Sequence, residues 1–392
     1  MNPEPASGAA QASGREAVLA VLGRRTPPRM VYAPNYWQWT AHHRNHGSLP
    51  AEIGQRRTQL ELIEFLGLDV FSRNLYCDEQ KGWFGGLADE VWEGVECRQE
   101  QRLDGQDRVI EKTYRTRMGE ATERLRYVFG ASTLVQEKFA VTDYASRLDV
   151  MREIVAGRRW KFFPERYARV AAKVGDRGVV MAGELYSPLK MLHMMLGPAD
   201  TTFLLTDEPE RAGEMLAMHE AAQLDLAAQM AASGVAAMIA MDNLDTMFHT
   251  PQYVERYSAS FYEKASRICH AHGSAFFIHA CGRQKANLKL IAGLGVDGLE
   301  GVAFPPLGDV ELDEAMRLSG DRFIITGGIS AMETEKLRSR RAVEGYVQEL
   351  LGRMRPYAHR FMLSASCNTP INTPWETIKW LRDAWSEYGR LR

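Results

Sequence analysis

The stretch 275–282, AFFIHACG, shows the pattern from which we predict the fold of this chain. It is a short apolar run that ends in a histidine, a cysteine and a glycine. Apolar runs of this length are typical of parallel β-strands that are covered on both faces. The preceding residues, 251–272, have a helical pattern, and Gly273 marks the predicted end of that helix.

Working outward from this stretch, we find seven more short apolar runs, several of them followed by helical patterns. Strands that alternate with helices indicate a parallel sheet with helical crossovers. We therefore predict an α/β fold, specifically a (β/α)8 TIM barrel. Its eight predicted strands are residues 30–36, 70–76, 178–184, 238–243, 275–281, 298–303, 323–329 and 361–367.

Two segments between predicted strands two and three interrupt the alternation of strands and helices. Residues 91–128 have alternating residue patterns on both sides of Asp104-Gly105, which is a turn signal typical of β-hairpins. Residues 143–174 have a helical pattern. We predict one barrel domain over residues 15–392 with an insertion at about 91–175, made of a β-hairpin and a helical segment. Residues 1–14 are small and polar, which predicts a disordered tail.

Composition narrows the class of protein. The net charge of −2 argues against a nucleic-acid or membrane-surface partner, which would require a basic face. No apolar run approaches the roughly 18 residues of a membrane helix, and the first residues lack the features of a signal peptide. The five cysteines are an odd number, which favours reduced thiols in a cytoplasmic protein.

The ends of two predicted strands carry residues that bind metals. Active sites of such barrels lie at the carboxyl ends of the strands. His279 and Cys281 are two residues apart on the fifth strand, so they point to the same side, and Cys367 ends the eighth. Imidazole and thiolates favour zinc, and three protein ligands leave one position open for a substrate. The alternative is that these cysteines are small core residues.

Other strand ends add further candidates. Glu184 is a candidate base or further zinc ligand, and Asp242 is a candidate acid or base, or the acceptor that orients the ligand histidine. The alternative for Glu184 is an exposed loop acid. For Tyr36 it is packing at the top of the barrel, and for Gly327-Gly328 it is a tight turn. The candidates for lining a cofactor or substrate pocket are Asn35, Tyr36, Glu300, Gly327 and Gly328.

Four motifs carry a resemblance to a known family: IHACGR at 278–283, GVDGLEG at 295–301, GGIS at 327–330 and SASCNTPINTPWETI at 364–378. Over about residues 178–390 the chain resembles the uroporphyrinogen decarboxylase superfamily. Within it, the chain is similar to the zinc- and corrinoid-dependent methyltransferases of the methylcobamide:coenzyme M type. In such methyltransferases the matching histidine and two cysteines bind zinc, which activates a thiol that takes a methyl group from a methylcorrinoid.

This resemblance implies a zinc-dependent methyltransferase that moves a methyl group between a small substrate and a corrinoid. The substrate would be a thiol or an O-, S- or N-methyl or methoxy compound. Because the chain has no D-x-H-x-x-G corrinoid signature, we expect cobalamin to come as a free cofactor or, more simply, on a separate corrinoid protein.

Two alternatives stay open at this point. One is a metal-independent decarboxylase like uroporphyrinogen decarboxylase. That enzyme's arginine-rich motif has no match in VYAPNYWQW at 31–39, and Arg283 is one of few basic residues near a strand end. The other is a non-catalytic protein that binds a corrinoid or a substrate.

Overall fold

The computed structural model of the protein describes residues 13–73, 75 and 86–391. Its strands, in chain order, are β1 (Val31–Tyr32), β2 (Val70–Ser72), β3 (Ala88–Trp92), β4 (Glu96–Asp104), β5 (Asp107–Thr116), β6 (Gly119–Val128), β7 (Thr133–Lys138), β8 (Arg158–Phe162), β9 (Gly178–Leu185), β10 (Ala237–Ala240), β11 (Ala275–His279), β12 (Gly298–Val302), β13 (Ile324–Ile329) and β14 (Phe361–Ala365).

The helices surround and connect these strands. They are α1 (Gly14–Leu22), α2 (Trp37–Asn45), α3 (Gln59–Leu66), α4 (Tyr144–Gly157), α5 (Pro164–Val174), α6 (Pro188–Leu196), α7 (Pro198–Asp207), α8 (Pro209–Ala232), α9 (Pro251–Tyr257), α10 (Ala259–Ala271), α11 (Leu288–Gly293), α12 (Leu312–Leu318), α13 (Ala331–Lys336), α14 (Arg340–Met354) and α15 (Trp375–Tyr388). Among the described residues, no helix has the length and apolar character that crossing a bilayer requires.

Eight parallel strands form a nearly closed barrel in the order β1-β14-β13-β12-β11-β10-β9-β2. At the remaining gap, the Asp69 backbone N–H donates to the Tyr32 carbonyl over 3.0 Å, which ties the start of β2 to β1. The (β/α)8 prediction is confirmed, and each predicted strand corresponds to one barrel strand. The predicted second strand extends to Tyr76, which lies outside the described residues.

Helix α1 covers the amino-terminal end of the barrel. Its Val18 and Val21 pack in one core cluster with strand side chains such as Phe71 and Phe277, whose rings lie 5.3 Å apart. Arg15 of α1 donates to the carbonyl of Gly178, where β9 begins. With this end filled, the carboxyl ends of the strands are left to form the site.

Helix α1 also corrects the predicted tail over residues 1–14. Ser13 caps the helix by accepting a hydrogen bond from the Glu16 backbone N–H over 3.1 Å, and Gly14 is its first residue. Residues 1–12 of the predicted tail lie outside the described residues.

The insertion between β2 and β9 contains more strands than the sequence pattern predicts. The hairpin turn at Asp104-Gly105 joins β4 to β5, but pairing continues through β6 to β7, so the hairpin is part of a four-stranded antiparallel sheet. The predicted helical segment holds α4 and α5, yet the residues between them form β8, which pairs with β3. Strand β4 is almost entirely exposed, so this sheet lacks the clean apolar alternation by which strands are recognised.

Candidate metal centre

Three side chains of types that bind metals meet at the carboxyl end of the barrel. His279 is the last residue of β11, and Cys281 and Cys367 each follow their strand by two residues. One ligand atom from each residue lies within 4.8 Å of the other two, and His279 Nε2 is 3.7 Å from Cys367 Sγ. A tetrahedral zinc site places an imidazole nitrogen and a thiolate sulfur roughly 3.6 Å apart. These donors therefore fit zinc in both type and spacing.

Glu300 and Arg73 support the histidine from inside the barrel. His279 Nδ1 lies 2.5 Å from Glu300 Oε2, and Arg73 Nε donates to the same oxygen over 2.9 Å. Burial alone would raise the pKa of Glu300, but Arg73 and then His279 outweigh it and lower that pKa to about 2. A carboxylate only accepts hydrogen bonds, so Nδ1 of His279 carries the proton and Nε2 is free to bind a metal.

Sequence reasoning missed Arg73. Its side chain is only 3% exposed, although it follows β2 at the mouth of the barrel. The sequence contained one indication of this position. Arg73 lies two residues after Phe71, which faces the barrel interior, and alternate residues of a strand face the same side. Arg283, the basic residue that the sequence suggested, has a side chain that is 50% exposed.

Gly301 has no side chain, so the imidazole ring of His279 can occupy the space beside it. Its φ of +85° is in the left-handed region, and a Cβ at this position would lie 2.9 Å from His279 Cε1 and 3.1 Å from the Ser366 carbonyl oxygen. Only a glycine accommodates both the backbone conformation and the imidazole next to it. Gly301 lies in the GLEG segment, where its neighbour Glu300 binds the same ring.

The segment that carries Cys367 is held by Asn35. Asn35 Nδ2 donates to the Cys367 carbonyl oxygen over 2.9 Å and to Asn368 Oδ1 over 2.7 Å. The Ser366 backbone N–H donates to the Ile329 carbonyl over 2.9 Å. The structure therefore gives Asn35, a predicted cofactor-binding residue, contacts that position Cys367, one of the three candidate metal ligands.

The remaining predicted pocket residues make internal contacts. The Tyr36 hydroxyl lies 3.1 Å from the Tyr32 hydroxyl, and Tyr36 is 1% exposed. A Cβ on Gly327 would lie 2.4 Å from the Val302 carbonyl oxygen, and one on Gly328 would meet the Phe361 ring. Both glycines lie within β13 and allow close packing against its neighbours, so the tight turn considered for them from the sequence is not found.

Glu184 and Asp242 are buried at neighbouring strand ends, and neither belongs to the three-donor cluster. Glu184 Oε1 accepts from the Leu87 backbone N–H over 3.0 Å, and burial raises the pKa of Glu184 to about 7. Asp242 accepts from the Ser187 backbone N–H over 2.8 Å and from the Tyr262 hydroxyl. The acceptor at His279 Nδ1 is Glu300, whereas the hydrogen bonds of Asp242 go to Ser187 and Tyr262, so the structure does not give Asp242 the expected role of orienting His279.

Comparison with known proteins places the chain in a family. The sequence model described as Uroporphyrinogen decarboxylase (URO-D) matches residues 124–388, which is more than half of the chain. No curated protein sequence matches it significantly.

Many solved chains match this structure, and two examples follow. A structure described as a methyltransferase from Methanosarcina mazei superposes with a TM-score of 0.59 at 14% identity, covering 96% of this chain and 99% of that one. A D-psicose 3-epimerase from Clostridium cellulolyticum H10 gives a TM-score of 0.38 at 11% identity, covering 59% of this chain and 86% of that one. The first shows the shared barrel fold, and the second is too distant to support any conclusion. From the family match, this chain is a member of the uroporphyrinogen decarboxylase (URO-D) family.

Proposed function

We propose that this chain is a zinc-dependent methyltransferase that moves a methyl group between a small substrate and a corrinoid. The observation that carries the proposal is the convergence of His279, Cys281 and Cys367 at the carboxyl end of the barrel. A three-ligand zinc site keeps one coordination position for a substrate, as catalytic zinc sites do. The Methanosarcina mazei structure that shares the fold is itself described as a methyltransferase, which agrees with the proposal.

Zinc bound here would act as a Lewis acid, holding a thiol as its nucleophilic thiolate or polarising a methyl-bearing atom. The protein's own residues hold and orient that centre. Glu300 accepts from His279 Nδ1, Arg73 keeps Glu300 ionised, and Asn35 holds the Cys367 carbonyl. Residues that lock metal ligands in this way are worth about 10- to 100-fold in metal affinity.

Glu184 is proposed to manage a proton during the reaction. Its pKa of about 7 suits a group that takes up and releases protons near neutral pH. The side chain is buried, at the end of β9, next to the start of β3.

The corrinoid is proposed to arrive on a separate protein. The full sequence contains no D-x-H-x-x-G signature, and the barrel with its insertion occupies most of the chain. The small-molecule methyl donor or acceptor, the corrinoid partner and a cytoplasmic location are all parts of this proposal.

The first test is the metal content of the purified, reduced protein by elemental mass spectrometry. We expect about one zinc per chain in the wild type and none in Cys281→Ala or Cys367→Ala. Cys97→Ala is the matched control, since Cys97 is a partly buried free cysteine of the insertion. Methyl transfer from methylcobalamin to a panel of thiols should disappear together with the zinc.

The outcomes separate the proposal from its alternatives. Retained zinc and full turnover in both cysteine variants would contradict it. A decarboxylase activity that a chelator leaves unchanged would support the metal-independent alternative, and cobalamin binding without methyl transfer would support a carrier.

A further inference from the structure

Strand β4 forms one edge of the four-stranded sheet in the insertion, and the proposed function does not involve it. The sheet has the order β4-β5-β6-β7, so β4 pairs with β5 on one side, and no second partner strand is found in the described part of the chain. All residues of β4 except Cys97 are exposed. An edge of this kind presents backbone N–H and C=O groups to which another strand can add.

Strand β4 lacks most of the features by which proteins protect an exposed edge. It has 9 residues, where about 5–6 is usual, and it pairs with β5 in one continuous register without a bulge. It contains neither proline nor lysine. The opposite edge, β7, has 6 residues, ends in Lys138 and has a register shift in its pairing with β6. Of the two edges of this sheet, β4 is therefore the one more open to pairing.

The charges on one face of β4 alternate in sign. Every second residue is charged, so these side chains lie on the same side of the sheet; they are Glu96, Arg98, Glu100 and Arg102. The side chains of Arg98 and Glu100 are 67% and 62% exposed and form an ion pair over 2.7 Å. A row of like charges would repel a second copy of the strand, whereas this alternating row is complementary to itself when it is reversed.

Two of these charges are poorly compensated within the sheet. Glu100 lies directly opposite Glu111 of β5, and like charges at opposite positions are unfavourable. Glu111 pairs with Arg124 of β6 over 2.8 Å. Arg102 lies opposite Val109, and it forms no ion pair with any residue that the structure describes. A strand on the outer side of β4 would bring opposite charges to both.

The backbone of β4 fixes which residues can bond to such a strand. The two-residue turn Gly105-Gln106 joins Asp104 to Asp107, and residues that flank a turn of this length share hydrogen bonds. Because hydrogen-bonded positions alternate along an antiparallel pair, the even-numbered residues of β4 bond to β5 and the odd-numbered residues direct their N–H and C=O outward. Gln99, at the centre of the row of charges, is one of these outward-facing positions.

We propose that β4 pairs antiparallel with β4 of a second copy of this chain, which joins two four-stranded sheets into one of eight strands. The twofold axis passes beside Gln99, whose backbone exchanges hydrogen bonds with the partner's Gln99. In this register Glu96 lies opposite the partner's Arg102. Arg98 lies opposite the partner's Glu100, and the symmetry repeats both pairs. The backbone thus offers its hydrogen bonds in the one register in which all these charges are complementary.

The test is sedimentation equilibrium of the full chain at low and high salt. We expect a monomer–dimer equilibrium that weakens at high salt, because exposed charges are screened. Arg98→Glu and Glu100→Arg should each weaken the dimer about tenfold or more, since each change places like charges opposite one another at two symmetric positions. The double variant Arg98→Glu/Glu100→Arg restores opposite charges in the same register and should dimerise like the wild type. Arg340→Glu, which changes an exposed arginine of α14, is the matched control.

A cysteine cross-link tests the register directly. In the proposed pairing the two Cα atoms of residue 99 are about 5.5 Å apart, within the roughly 4.4–6.8 Å that a disulfide spans. Gln99→Cys should therefore form a disulfide-linked dimer on mild oxidation with diamide, identified by mass spectrometry of the linked peptide. Leu103→Cys is the control, because Leu103 is 73% exposed. In this register the two copies of residue 103 lie about 27 Å apart along the strands, so they should not cross-link.

Each outcome supports or overturns the pairing. A wild type that is monomeric at every concentration in low salt overturns it. A dimer that both single variants leave unchanged associates through another surface and also overturns it. A double variant that stays as weak as the single ones, or a cross-link at residue 103 instead of 99, shows that the register is wrong. Neither measurement depends on zinc, so the result is independent of the proposed function.

Discussion

Replacing Gly301 by alanine tests whether the metal centre depends on the space next to His279. The new Cβ would lie 2.9 Å from His279 Cε1, whereas two carbon atoms pack at about 3.5–4.0 Å. The imidazole must therefore move by about 0.6 Å or more. Because the Ser366 carbonyl lies 3.1 Å away on another side, the backbone has little room to absorb the change.

That displacement is large for a metal site. Ligand distances in metal sites hold to about 0.2 Å, so a ring shift of this size moves Nε2 away from its 3.7 Å spacing to Cys367 Sγ. It also disturbs the contact between Nδ1 and Glu300. We expect zinc affinity to fall by about 10- to 100-fold, as it does when the residues that support metal ligands are lost.

Gly295→Ala is the matched control. Gly295 has a φ of +80°, close to the +85° of Gly301, but its added Cβ would come no nearer than 3.7 Å to a neighbour, Ser266 Cβ. Both variants place alanine in the left-handed region, which costs roughly 1–2 kcal/mol of folding free energy. Only Gly301→Ala adds the clash with the imidazole.

Zinc affinity is measured by competition with a chromophoric chelator, and stability by urea unfolding of the metal-free proteins. We expect Gly301→Ala to lose zinc affinity and Gly295→Ala to keep it, with both destabilised. Equal zinc affinity in the two variants would refute the argument that Gly301 positions His279.

Two further predictions concern the buried carboxylates. Glu300→Gln removes the negative charge beside buried Arg73, so it should lower the free energy of unfolding by about 3–5 kcal/mol and weaken zinc binding. The control Glu344→Gln breaks an exposed pair with Arg340 and should cost no more than about 1 kcal/mol; equal losses of the two variants in urea unfolding would contradict this prediction. Glu184→Gln should change how stability depends on pH. Burial raises the folded-state pKa of Glu184 from 4.5 to about 7, so between these values the folded wild type holds a proton that the unfolded chain releases. The stability of the wild type therefore falls as the pH rises from 4.5 through about 7. Relative to the wild type, the variant should gain up to about 3 kcal/mol between pH 4.5 and 8, and a pH-independent difference in urea unfolding would show that Glu184 has an ordinary pKa.

Much of the barrel could be predicted from local sequence. Strands β9 to β14 are short runs with every side chain buried, and such runs stand out because parallel strands covered on both faces need few polar residues. The predicted helix over residues 251–272 was less accurate, since it divides into α9 and α10 at Ser258. Nothing in the apolar spacing marks that break.

The insertion shows where the same reasoning fails. Strand β8, RRWKF, was predicted as part of a helical segment, but it pairs with β3 over the register Glu90 to Trp160. Its strand conformation depends on that partner, which lies about 70 residues earlier in the chain. Local propensity is a weak guide where pairing with a distant segment decides the conformation.

The sequence by itself determined the eight barrel strands and placed the three candidate metal ligands at their ends, because both follow from local patterns of apolar residues and strand alternation. Only the tertiary structure decided which residues support them. Closure of the barrel brings Arg73 from β2 and Glu300 from β12 to His279 on β11, and brings Asn35 to the segment that carries Cys367. These contacts join residues as many as 332 positions apart, and the resulting burial and charge set the protonation state of each group.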